Sequence, residues 1–136
     1  VQILSGVLLR AAEGSLQLAA TDMEISLRVP VAAQVEESGA VVLPGRLLAD
    51  IVKALPSGKE VTIEQPGGTG AVRVSCGASE YSLHSQGAED FPHLPEPSGS
   101  AFSVDRNAFA ETVGHVSRAA SRDASEKART DVRRLE

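Results

Sequence analysis

The spacing of apolar residues changes twice along this chain, and that constrains the fold more than any other feature. Through the first forty-three residues it has the two-residue period of a half-buried strand. Leu16, Leu18 and Ala20, then Met23, Ile25, Leu27 and Val29, alternate with their neighbours. At Leu47, Leu48, Ile51, Val52 and Leu55 it becomes the i, i+1, i+4, i+5, i+8 pattern of one helical face. After Pro56 the period of two returns, at Val61 and Ile63, at Val72, Val74 and Cys76, and at Tyr81 and Leu83. Strands, a helix and strands again read as an α+β chain.

Breaks in the pattern fall where turn chemistry allows them. Gly14-Ser15 ends a strand that begins at Ile3, Thr21-Asp22 makes a tighter break, and Ser38-Gly39 turns into the run Val41-Val42-Leu43. Pro30 lacks the N–H that a central strand donates, so the third run belongs at a sheet edge or a bulge, with Val31 to Val35 continuing extended. Pro44 suits the first turn of the helix, and Pro56 and Gly58 end it. Pro66-Gly67-Gly68-Thr69-Gly70 is a loose hairpin turn. A phosphate loop needs a Lys-Ser/Thr step and a following helix, and here a strand follows. Residues 84–100, HSQGAEDFPHLPEPSGS, hold three prolines and no periodicity and read as a linker. Phe102-Ser103-Val104 reads as a short strand. The helix after it is capped by Ser103 or Asp105 and has Phe109, Val113, Val116 and Ala120 as its core face. The final EKARTDVRRLE is highly charged and short of apolar residues, and reads as disordered.

Residues that carry chemistry are few and scattered. His84, His93 and His115 fall in a strand end, the linker and the second helix, none at zinc-ligand spacing from another or from Cys76. No metal or cofactor is therefore expected. Cys76, the single cysteine, takes an inward strand position, which suits a packed thiol better than a nucleophile. It excludes an internal disulfide and fits a reducing cytoplasm. Glu89 and Asp90 are adjacent and do not face each other across a substrate. Asp22 and Glu24 could share a cation, although Asp22 is a residue type that bonds its own turn. No nucleophile, base and orienting group come together, so a hydrolase built on Asp22, Glu24 or His84 is the weakest reading. No apolar run reaches the ~18 residues of a membrane span, so no membrane partner is expected. Val1 already reads as the middle of an element, which suggests a piece of a longer protein.

The 136 residues carry a formal charge of −5, unevenly spread. Through Ser100 there are six basic residues against twelve acidic ones, and after it seven against six. That balance argues against a nucleic-acid binder with cations everywhere, but not against one whose cations are gathered on one surface. Arg46 and Lys53, seven residues apart on the predicted helix, leave from the same side, opposite its apolar face. The simplest reading is a solvated face with one Arg46–Asp50 pair worth about 0.2–0.5 kcal/mol. On the second helix Glu111, His115, Arg118 and Arg122 line up at spacings of four, three and four.

Four segments, read in order, carry a resemblance. They are Ile3-Leu4-Ser5-Gly6-Val7-Leu8-Leu9, then Leu16-x-Leu18-x-Ala20-Thr21-Asp22-Met23-Glu24-Ile25. Next come Leu43-Pro44-Gly45-Arg46-Leu47-Leu48-Ala49-Asp50-Ile51 with Ala54-Leu55-Pro56, and last Ala88-Glu89-Asp90-Phe91-Pro92-His93-Leu94-Pro95. Together they resemble the amino-terminal domain of the bacterial DNA polymerase III beta subunits, the replicative sliding clamps, from Ile3 to Ser125. The resemblance implies an α+β sliding-clamp domain, truncated, with antiparallel sheets packed on inward-facing helices. Residues 1–95 are then a first clamp domain lacking its initial strand and helix, and 96–100 a linker. Residues 101–125 are the first strand and helix of a second clamp domain, and 126–136 a charged tail.

The resemblance also implies a function. In that family two subunits close into a ring around duplex DNA, whatever its sequence, and tether the replicative polymerase, catalysing nothing themselves. The implied partners are double-stranded DNA, a second subunit in a homodimer ring, and the polymerase and clamp loader through parts absent here. The implied location is cytoplasmic, with no cofactor. Arg46 and Lys53, with Arg118 and Arg122, become the candidate DNA-facing residues. A sparse cationic lining attracts phosphates without fixing register. Leu47, Ile51, Tyr81 and Leu83 become candidate subunit-interface residues, with plain core packing as the competing reading of Leu47 and Ile51. Gly77-Ala78-Ser79-Glu80-Tyr81 departs from the family's usual Gly-Arg-Ser-Arg-Phe by two cations, and the tail after Ser125 departs from its Arg-Pro-Val-Leu-Thr-Gly. The alternative is a clamp-fold protein-interaction module without DNA encirclement.

Overall fold

The computed structural model describes residues 2–68, 70–96 and 98–120, and in it the strand-period stretches pair as antiparallel ladders. β1 (Gly6–Ala12) and β2 (Ser15–Thr21) form a hairpin closed by Glu13 and Gly14. Their φ values of 46° and 77° are both positive, as a type I′ turn requires. β1 starts at Gly6 rather than Ile3, because Gln2–Ser5 is a 3-10 turn and the ladder with β4 (Gly39–Pro44) ends at Gly6 opposite Pro44. Proline has no N–H to carry that ladder further. β3 (Ser26–Ala32) pairs with β2 in unbroken register from Ser15↔Ala32 to Thr21↔Ser26, so Pro30 marks an edge strand without a bulge. With β8 (Gln86–Gly87) on its far side, the first sheet has the order β3-β2-β1-β4-β8.

The second sheet is β5 (Thr62–Glu64), β6 (Ala71–Cys76) and β7 (Ser79–His84), in the order β5-β6-β7. Val72, Val74 and Cys76 of β6 are all buried, as their alternation predicts. One apolar cluster joins Leu9, Leu43, Val72, Val74 and Leu83 with Leu48 and Ile51 of the helix, and a second joins Leu8, Ala19, Val42, Phe91 and Leu94. Leu8 and Leu9 are neighbours, as are Val42 and Leu43, yet each pair divides between the two clusters. β1 and β4 are thus covered on both faces. Each such side chain contributes about 1.5–3 kcal/mol relative to exposure.

Three expectations change. Residues 84–100 are not a free linker over their first part: β8 pairs with β4, and Phe91 and Leu94 are core. Prolines removed the periodicity without removing the burial. The period-two apolar residues of β3 and the turn before it, Met23, Ile25, Leu27, Val29 and Val31, are exposed. Leu27, Val29 and Val31 share a face with Leu9, but on that face the helix and second sheet pack over β1 and β4, away from the β3 edge. The third change concerns residues 102–104, which form no strand.

The chain divides into two units, Val1–Glu96 and Pro97–Glu136. In the second, α2 (Arg106–Val116) is capped by Asp105, whose Oδ1 accepts the N–H of Asn107 (3.1 Å) and Ala108 (2.9 Å). Phe109, Val113 and Val116 are exposed, and Ala120 lies beyond the helix end. The tail at 126–136 lies outside the described residues.

Candidate nucleic-acid interface

β4 runs straight into α1 (Gly45–Ala54): Pro44, expected in the first turn, is the last residue of the strand and the N-cap of the helix, with extended backbone. The helix stops where the next proline dictates: Leu55 is extended ahead of Pro56, and its N–H returns to the carbonyls of Ile51 (3.1 Å) and Val52 (3.3 Å). At about 100° per residue, Leu48 and Ile51 cluster along one line of the helix that runs on toward Leu55; the two are its residues in the core, and the partly buried Leu55 packs against them. Leu47 and Val52 fall roughly 70° to either side of that line and are exposed, although their spacing had placed them in the apolar face. A helix lying on one sheet covers a stripe of only about 100°, so residues at the margins stay in solvent.

Arg46 and Lys53 project opposite the buried line, about 20° from each other around the axis and about 10.5 Å apart along it. Both are exposed. The ion pairs among the described residues are Arg28–Glu96, Arg73–Glu64 and Arg73–Glu80, so the expected Arg46–Asp50 pair is not formed and neither helix cation is neutralised by a described carboxylate. Lys53 in the last turn complements the helix dipole, whereas Arg46 in the first turn opposes it, at about 0.3–1 kcal/mol. Helix stability therefore does not explain Arg46, and with it the positive end of α1 becomes more positive.

The other candidates separate. Ile51 and Leu83 are 7% and 1% exposed and belong to the core cluster, so neither offers a partner appreciable surface. Leu47, 48% exposed, and the partly buried Tyr81 do. The second helix does not continue its stripe: α2 ends at Val116, and Arg118 sits in the turns that follow. Arg122 lies outside the described residues. Glu80, at a position where the resemblance leads one to expect a cation, pairs with Arg73 at 3.4 Å.

The family model described as DNA polymerase III beta subunit, N-terminal domain, matches residues 1–95. The chain belongs to this family. The beta sliding clamp of Streptomyces coelicolor is 42% identical over 131 residues, covering 96% of this chain and 34% of that protein. That of Micrococcus luteus is 44% identical over 123 residues, covering 90% and 39%. The crystal structure of the DNA polymerase III subunit beta from Pseudomonas aeruginosa superposes with a TM-score of 0.82 at 30% identity, over 90% of this chain and 34% of that one. The fold is that of a sliding clamp, and the chain spans about a third of the length of these clamp relatives.

Proposed function

We propose that this chain is part of a processivity factor that encircles duplex DNA and tethers a replicative polymerase without catalysing a reaction itself. Residues 1–95 serve as its first clamp domain, 96–100 as a linker and 101–125 as the opening of a second domain. The observation that carries this reading is the Arg46–Lys53 line on α1, exposed, opposite the core and without an ion pair among the described residues. Duplex DNA presents one phosphate charge per ~1.7 Å of axis, and two cations about 10.5 Å apart meet it sparsely. Sparse contacts attract without holding a register, which is what movement along DNA needs. In a full-length clamp bearing this domain, Arg46→Glu with Lys53→Glu lowers DNA affinity and processivity. It also reduces the slope of log K against log salt by about 1 per cation removed. Unchanged processivity together with an unchanged salt slope refutes the lining role.

Closure of a ring requires a second subunit, and within this domain Leu47 and Tyr81 are the proposed contact, with Ile51 and Leu83 supporting them from the core. Leu47→Glu in the full-length protein shifts the sedimentation equilibrium toward monomer; an unaltered dimer constant removes Leu47 from the interface. The polymerase and clamp loader are the further proposed partners, in the cytoplasm, through regions beyond this domain.

A further inference from the structure

Residues 91–96 are pinned, although prolines punctuate them. Phe91 and Leu94 complete the outer cluster with Leu8, Ala19 and Val42. Arg28 stands opposite Ala19 in the β2–β3 ladder, on the face that this cluster occupies. Its Nη2 donates to the Leu94 carbonyl at 2.5 Å and its Nη1 to Glu96 Oε1 at 3.1 Å. The Arg28 side chain is 30% exposed and that of Glu96 80%, so the carbonyl bond is the shielded half of the contact and the carboxylate the screened half. Pro92 and Pro95 supply no N–H for a ladder. Among the described residues the segment's backbone–backbone bond is that of the Phe91 N–H to the Ala88 carbonyl, 3.2 Å. Side chains hold the rest.

We infer that Arg28 is a latch that fastens residues 91–96 across the outer face of β3 and β2, keeping Phe91 and Leu94 seated and fixing where the chain leaves its first unit. Without it the segment is free to lift, uncovering Ala19 and Leu8 while the inner cluster, that of Leu9, Leu43, Leu48 and Val72, stays closed. The latch needs no assumption about DNA.

The test uses the full chain. Arg28→Met keeps the aliphatic stem and removes both donors, and Glu96→Gln removes the charge while sparing the carbonyl bond. In Arg28→Met, amide exchange at Phe91 accelerates about tenfold or more and the Leu94 methyl NOEs to the outer cluster vanish. Exchange in β6 stays within about twofold of the parent, and Glu96→Gln accelerates Phe91 less than about threefold. The latch is overturned by an unchanged Phe91 rate in Arg28→Met, by β6 accelerating equally, or by Glu96→Gln acting as strongly as Arg28→Met.

Discussion

At the β2–β3 turn the Asp22 Oδ1 accepts the backbone N–H of Ile25 at 2.7 Å and of Glu24 at 3.0 Å. The Thr21 hydroxyl donates to the Ile25 carbonyl (2.9 Å) and accepts the Met23 N–H (3.0 Å). These bonds hold Met23 at φ 77°, a left-handed conformation that a residue with a Cβ seldom takes. The N–H donors of Ile25, then Glu24, favour the charged carboxylate and lower the Asp22 pKa below its ordinary value. The stability this contributes is present in full above the unfolded carboxylate pKa, about 3.9, and is lost as pH falls through the lowered folded value. An NMR titration of the Asp22 carboxyl carbon has its midpoint below that of an unstructured aspartate; a midpoint at or above it contradicts the turn geometry. Thr-Asp announced this turn in the sequence because its bonds reach only three or four residues. Arg28 announced nothing, since its partners lie 66 and 68 residues away.

The helix α1 is started by packing rather than by its own ends. Pro44 provides no side-chain cap, there is no acidic residue in the first turn, and Arg46 there works against the dipole. What holds it is Leu48 and Ile51 in the inner cluster. Gly45 is required by a close approach: a Cβ there would stand 2.9 Å from the Ser5 carbonyl oxygen and 3.3 Å from Val7 Cγ2. Gly45→Ala gains up to about 1 kcal/mol of helix propensity but forces a backbone oxygen aside, which costs about 1–3 kcal/mol. The expected result is a net loss of stability in denaturant titration. A more stable Gly45→Ala chain shows instead that the 3-10 turn at Gln2–Ser5 moves aside easily. The helix, its ends and its cation line were readable from apolar spacing and two prolines. The contribution of Val52 was not, because a period reports the face a residue takes and not how far the neighbouring sheet extends over it.

At the scale of the molecule, the first sheet is sealed on both faces at β1 and β4 and open on the inner face of β3. Leu83 and Leu27 are both period-two strand leucines, yet one is 1% exposed and the other 62%. Leu83→Ala is expected to destabilise the chain by about 2–5 kcal/mol, with Leu27→Ala within about 0.5 kcal/mol of the parent. Equal losses in chemical denaturation show that the β3 face is covered in solution. Taken alone, the sequence determined the order of the strands β1 to β7 and of the helix α1, the places where the chain turns between them, the inward position of Cys76 and the side from which Arg46 and Lys53 leave. Each follows from steric and hydrogen-bonding preferences acting over a few residues. Only the tertiary structure decided that Phe91 and Leu94 are core, that Leu27 and Val52 are not, and that Arg46 and Asp50 do not pair. Burial and pairing depend on groups brought together from distant parts of the chain, and no local period encodes that proximity.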